Sequence, residues 1–215
     1  MAIEVKICGV NAPEALRATV EAGAEYVGLN FYPPSPRSVT PDQAAALAAA
    51  APPRLCKVGV FVDVEDETIA KTLAAVDLDM LQLHGGESPA RVAEIRARFG
   101  LPVMKVVKIA GAEDVAAAEA YLRVADRLLF DAKPPKEMTE ALPGGNALAF
   151  DWQLLAGKTW PLPWMLSGGL DSENVAEAAR ISGARTVDVS SGIEDRPGLK
   201  NSDKIRAFLS AAKGA

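Results

Sequence analysis

An α/β fold, an eightfold parallel β/α (TIM) barrel, is what this chain predicts, and three observations carry it. Short apolar runs rich in β-branched residues recur along all 215 residues. Alanine-rich stretches with helical periodicity separate them. The repeat from one run to the next averages about 26 residues, within the range of such barrels. Parallel strands need long crossovers, so strand and helix in alternation imply a parallel sheet. A doubly wound open sheet is the competing arrangement. No linker or change of composition divides the chain, so residues 1–215 read as a single barrel domain.

The expected strands lie near 3–8, 25–31, 55–62, 79–84, 102–107, 126–131, 163–167 and 185–190. After the first, "APEALRATVEAG" (12–23) opens a helix with Pro13 as an early residue and stops it at Gly23. Two connections are unusually long: 31–41 after the second strand and 132–151 after the sixth. Both follow the carboxyl ends of strands, the face where such barrels keep their chemistry. The Pro- and Gly-rich second insertion fits a cover over that face; a tolerated surface insertion is the alternative. After the seventh strand, "DSENVAEAARISG" (171–183) has Asp171 as N-terminal cap and Gly183 as stop. The tail "SDKIRAFLSAAKGA" reads as the amphipathic helix that closes the ring.

Composition removes several classes of function. Net charge is −5, with no Lys/Arg run, so no nucleic-acid partner is expected. No apolar run approaches the roughly 18 residues needed to span a bilayer, so no membrane partner is expected either. Charges inside "MAIEVKICGV" make it a poor signal peptide, which leaves a cytoplasmic location as the expectation. Two separated thiols, Cys8 and Cys56, and one imidazole, His84, do not make a zinc cluster. A reducing cytosol argues against a disulfide between them. No dinucleotide fingerprint appears either.

Side chains alternate along a strand, so Glu4, Lys6 and Cys8 share one face of "EVKIC" and Val5 and Ile7 the other. The helices are apolar, so Val5 and Ile7 must pack on them. The polar set therefore points into the barrel, with Cys8 at the carboxyl rim. By the same rule Asp131 lies inward at the rim of strand 6, Gln82 and His84 share a face of strand 4, and Asp188 and Ser190 share one on strand 8. A thiolate and a carboxylic acid approaching one ligand from different sides make a base and acid pair. Alternation alone equally allows Cys8 to be a small packing residue. Free Cys and Asp titrate near about 8.5 and 3.9, so both would have to move toward neutrality. Lys6, a layer below Cys8, would favour the thiolate; a cover over Asp131 would favour its protonated form. Lys6 and Asp188 become neighbours if the ring closes and read as a buried ion pair. Cys56 reads as a core residue, and His84 as a satisfied polar residue near the mouth.

"LSGGL" (166–170) and "DVSSG" (188–192) end the last two strands. Glycine turns let backbone N–H groups approach an anion, and a helix starting near Ser172 would add its dipole. In these barrels the same two loops often hold phosphate; two ligand-free tight turns are the alternative. Gly168, Gly169, Ser190, Ser191 and Gly192 are thus candidates for a small phosphorylated ligand. Arg37 sits among Pro33, Pro34 and Pro36, which stiffen its backbone and aim the guanidinium at a planar carboxylate. A solvated loop arginine is the alternative.

Taken together, "VKICG" (5–9), "GLNFYPPSPRSV" (28–39), "VGVFV" (58–62), "LQLHGGE" (81–87), "LLFDAK" (128–133), "FDW" (150–152), "LSGGL" and "VDVSSGIE" (187–194) resemble the phosphoribosylanthranilate isomerase family of tryptophan biosynthesis. The likeness runs in order through nearly the whole chain. It implies an Amadori rearrangement with Asp131 as general acid and Cys8 as general base. It further implies that Arg37 holds the anthranilate carboxylate and that the two glycine turns hold the phosphate. Gln82, His84 and Asp188 complete the expected substrate-facing set. The resemblance implies no cofactor and no metal, and relatives of this type act as single chains or homodimers. Indole-3-glycerol phosphate synthase is the nearest rival, but a lysine acid would be expected where "KICG" stands. A metal-dependent phosphosugar epimerase lacks its ligands here, and a non-catalytic phosphate sensor would not need Cys8 and Asp131.

Overall fold

The computed structural model of the protein describes residues 2–135, 138 and 142–215. Eight strands pair in chain order and in parallel: β1 (Glu4–Cys8), β2 (Tyr26–Asn30), β3 (Cys56–Phe61), β4 (Met80–Leu83), β5 (Val103–Ile109), β6 (Arg127–Ala132), β7 (Trp164–Leu166) and β8 (Thr186–Val189). β8 pairs with β1, which closes the barrel and excludes the open sheet. Each strand lies within two residues of its expected place.

The crossovers carry α1 (Pro13–Glu21), α2 (Pro41–Ala50), α3 (Asp66–Ala75), α4 (Pro89–Phe99), α5 (Ala112–Ala117), α6 (Val175–Ser182) and α7 (Ser202–Lys213). Local chemistry sets their ends. Thr40 caps α2 in a reciprocal box with Gln43, and Pro41 supplies the first helical residue. Ser88 caps α4, and Gly100 ends it in the left-handed conformation. α6 starts later than expected. Asp171 does not cap it; its Oδ1 instead accepts from the Glu173 and Asn174 amides at 2.8 and 3.0 Å, a turn that precedes the helix.

Alternation of strand and helix fails once. After β6 the described residues hold only a 3₁₀ turn, Trp152–Leu155. Gly157, Pro161 and Pro163 crowd the approach to β7 and leave no run long enough for a helix. Trp160 and Trp164 take over its packing role, with ring centroids 4.9 and 5.5 Å from the outward-facing Phe130. Within the expected 132–151 cover, residues 136, 137 and 139–141 lie outside the described set.

The core has two layers, as the alternation requires. Val5, Ile7, Leu81, Leu128 and Val187 join the helices' apolar faces in the large outer layer. Val58, Met80, Met104, Val106, Leu129 and Met165 plug the amino-terminal half of the barrel's interior. Each such side chain contributes roughly 1.5–3 kcal/mol on burial. The plug separates the polar groups Glu4, Tyr26 and Arg127 at the amino-terminal end from those at the carboxyl-terminal end. Cys56 departs from its expected place: it is half-buried against the edge of the plug. Burial there pushes its thiol up to about 11, so it stays protonated. Beyond β8 a small antiparallel hairpin, β9 (Glu194–Arg196) and β10 (Leu199–Lys200), folds back toward the loop after β2. No described helix is long and apolar enough to cross a membrane.

Candidate active site

One cavity at the carboxyl rim is lined by Cys8, Arg37, His84, Asp131, Asp188, Gly168, Gly169, Ser190 and Ser191. Strands β1, β4, β6 and β8 and the loops after β2, β7 and β8 therefore converge on one volume. Gln82 and Gly192 do not line it. Gln82 is fully buried beneath His84, and Gly192 packs so closely on the Leu170 carbonyl that a side chain would collide with it. Gly192 thereby joins the two glycine turns.

The sequence "KICG" is explained by what surrounds it. The Lys6 ammonium donates to Asp188 Oδ1 at 2.7 Å, across the β1–β8 register that pairs the two residues. Ser167 donates to the other carboxylate oxygen at 3.1 Å. Burial alone would lower the Lys6 ammonium, but Asp188 and the Cys8 sulfur outweigh it and hold it at about 12. Cys8 behaves differently from the expectation. Burial pushes its thiol up; Lys6 and Lys200 oppose this, while the Asp188 carboxylate works with it. Lys6 does favour the thiolate, but burial, aided by Asp188, outweighs that pull. The thiol therefore stays protonated at neutral pH rather than moving toward it. Gly28, opposite Cys8 on β2, makes the space: a Cβ there would stand 3.0 Å from Sγ and 3.1 Å from Lys6 Nζ. Gly9 ends the motif at φ +74°, and a Cβ on it would stand 2.8 Å from Arg37 Cδ. The glycine after the cysteine thus lets the Arg37 stem pass over the end of β1.

On the opposite side, Asp131 Oδ1 accepts from the Ala132 amide at 2.9 Å, and Oδ2 lies 3.1 Å from His84 Nε2. His84 Nδ1 lies 2.9 Å from Gln82 Nε2, and Gln82 Oε1 has no partner among the described residues. Two proton arrangements fit these positions. In one, the Gln82 amide donates to Nδ1, so the ring proton sits on Nε2 and is donated to an ionised Asp131. In the other, the Gln82 amide is turned and accepts from Nδ1–H, and Nε2 accepts a proton from a neutral Asp131. Both arrangements satisfy Asp131 Oδ2 and His84 Nε2 with the same heavy-atom positions. Gly144, from the loop after β6, lies over this pair; a Cβ on it would stand 3.1 Å from Asp131 Oδ2.

Arg37 is buried, not solvated. The loop after β2 folds as successive turns, closed by Val39 N to Asn30 O at 2.9 Å, which turns Arg37 inward. Its Nε and Nη2 each donate at 2.8 Å to the two oxygens of Glu194, and Nη2 also reaches the Gly145 carbonyl at 3.2 Å. Lys200 donates to Glu194 at 2.7 Å and to the Ser190 carbonyl at 2.9 Å. Gly168 and Gly169 adopt φ +94° and +63°, left-handed conformations that glycine takes without strain. Ser190 donates to the Cys8 carbonyl at 3.2 Å and so ties the β8 turn to β1. Sequence reasoning assigned no role to Ser167, Glu194 or Lys200. For Glu194 a signal was present, since it ends the "VDVSSGIE" match.

The family model described as N-(5'phosphoribosyl)anthranilate (PRA) isomerase matches residues 5–211. N-(5'-phosphoribosyl)anthranilate isomerase of Paramagnetospirillum magneticum is 61% identical over 214 residues, covering 100% of this chain and 99% of that one. The crystal structure of phosphoribosyl anthranilate isomerase from Thermotoga maritima has a TM-score of 0.88 at 36% identity, covering 99% of this chain and 100% of its own. A phosphoribosyl anthranilate isomerase in complex with reduced 1-(o-carboxyphenylamino)-1-deoxyribulose 5-phosphate has a TM-score of 0.83 at 35% identity, with coverage of 99% and 100%. On the family match and these identities, the chain belongs to the phosphoribosylanthranilate isomerase family.

Proposed function

We propose that the chain converts N-(5-phosphoribosyl)anthranilate to 1-(2-carboxyphenylamino)-1-deoxyribulose 5-phosphate in tryptophan biosynthesis. The observation that carries this reading is that Cys8 and Asp131, on strands far apart in the ring, line one cavity with Arg37 and both glycine turns. Asp131 protonates the ribose ring oxygen, and the ring opens to an iminium ion. Cys8 then removes the C2′ proton, and the electron pair flows into the iminium nitrogen to give an enolamine, which tautomerises to the ketone. The developing iminium charge favours the thiolate at the moment it is needed, which offsets the burial that keeps the free thiol protonated. Arg37 holds the anthranilate carboxylate. Backbone amides of Gly168, Gly169, Ser190 and Ser191 hold the phosphate, with Gly192 fixing the turn behind them.

His84 and Asp188 face the same cavity and contact the sugar; Gln82 acts on it through His84. Loop residues 142–148 cover the bound substrate and exclude water. Every group comes from one chain, so a single copy or a homodimer serves equally. The test supplies phosphoribosylanthranilate, generated in situ, and follows anthranilate fluorescence. Loss of signal that depends on the protein supports the reading, and saturable binding without turnover overturns it.

A further inference from the structure

Arg37 presents a problem to any ligand it is meant to hold. A guanidinium locked side-on to a carboxylate is already neutralised, and a neutral pair has little left to attract a second anion. Glu194 makes that side-on contact through both oxygens, and both side chains are almost entirely buried. Lys200 supplies the missing charge. It is opposite Glu194 in the β9–β10 register, nearly inaccessible to solvent, and donates to the same Oε1 that Arg37 Nε uses. Burial alone would raise the Glu194 carboxyl, but Arg37 and Lys200 outweigh it and hold it ionised. Burial lowers the Lys200 ammonium, opposed by Glu194. The three bonds it donates to Glu194 Oε1 and to the Ser190 carbonyl and hydroxyl are those of a charged amine. With Lys200 protonated, two cations and one anion leave the cluster with one net positive charge, the complement of one carboxylate. Nη1 of Arg37 makes no hydrogen bond to a described residue, while Nε and Nη2 are both committed.

We propose that Glu194 and Lys200 are positioning residues for substrate recognition: Glu194 grips the side-on edge of Arg37, and Lys200 balances Glu194. The guanidinium then faces the cavity in one orientation and with its full charge. The role rests on Arg37 being the group that holds the aromatic carboxylate. The cluster also spans the site, because Lys200 donates to the Ser190 carbonyl and hydroxyl at 2.9 and 3.2 Å. The carboxylate clamp and the turn after β8 are thus fastened to one side chain. The β9–β10 hairpin, which no catalytic step uses, exists in this reading to hold that cluster.

The test compares kcat/KM for N-(5-phosphoribosyl)anthranilate with that for the same compound built on aniline, which lacks the carboxylate. Their ratio measures carboxylate preference. Arg37→Ala should collapse the ratio; if it does not, the reading of Arg37 fails and the positioning role with it. Glu194→Gln should lower the ratio by about tenfold or more, chiefly through KM for the carboxylated substrate. Charge alone predicts the opposite, because removing Glu194 raises the cluster's net charge and should increase the preference. Glu194→Asp keeps the charge one methylene short and should retain part of the ratio; it serves as the readout if the Gln variant does not fold. Lys200→Met, which leaves the cluster neutral, should also lower the ratio. A ratio unchanged or raised in the folded Glu194 variants, with Arg37→Ala collapsed, overturns the positioning role and leaves the function of Arg37 standing.

Discussion

Cys8 shows how far a single residue can be read. Period-two alternation puts it inside the barrel at the rim, and there it lies. Its proton affinity depends on a balance that alternation does not contain: burial and Asp188 against Lys6 and Lys200. Lys200 comes from a hairpin nearly the length of the chain away. For a base whose folded pKa is raised, the active thiolate fraction is small at neutral pH and grows as pH rises. Therefore kcat/KM should climb several-fold between about pH 7 and about pH 9. A flat or falling profile over that range, on a protein that stays folded, contradicts the proton-acceptor role. Gly28 offers a second probe. The Cβ of Gly28→Ala would stand 3.0 Å from the Cys8 sulfur, and strand backbone cannot retreat far. Turnover should fall by about tenfold or more, with little change in KM, because the displaced group is the proposed base rather than a binding group. An unchanged kcat would show that Sγ has freedom the packing denies it.

At the scale of elements, long periodic segments were legible and short irregular ones were not. Strands β1 to β8 announced themselves by β-branched apolar runs. The 3₁₀ turn after β6 did not, because four residues are too few to show a period and the Gly and Pro residues that follow it resemble any loop. The β9–β10 hairpin is too short to show a period at all, which is why Glu194 and Lys200 escaped notice. The loop after β4 illustrates what such segments need. Lys105, outward-facing on β5, donates to Glu87 at 2.7 Å and to the Gly85 carbonyl at 2.8 Å. Glu87 in turn accepts from the amides of Asp63 and Gly85 at 2.9 and 3.1 Å. Burial would raise the Glu87 carboxyl, but Lys105 and the amides of Asp63 and of Glu87 itself outweigh it and lower it. Its contribution to stability is therefore present above the unfolded carboxylate range and lost as pH falls through the folded value. Lys105→Met strands Glu87 without a counter-charge and should cost about 3 kcal/mol in urea unfolding at neutral pH. A loss below about 1 kcal/mol would mean that the loop holds itself without the pair.

For the whole molecule, closure is what turns scattered residues into a site. Lys6 meets Asp188, and Cys8 shares a cavity with Asp131, only because β8 returns to β1. That return was expected from the number and spacing of the strands. The cavity's position at the carboxyl rim was legible from the long connections and glycine turns that follow the strands there; the apolar plug below it was not anticipated. Beyond the Lys6–Asp188 pair, what the chain order did not reveal is which polar partner each group finds: Asp131 meets His84, 47 positions away, and Arg37 meets Glu194, 157 away. Cys8→Ala probes the arrangement most directly, assayed by anthranilate fluorescence with thermal unfolding measured on the same sample. Turnover should drop by about a thousandfold or more while the unfolding midpoint stays near that of the unsubstituted protein. A folded Cys8→Ala protein that works within about tenfold of the parent rate would remove the thiol from the chemistry.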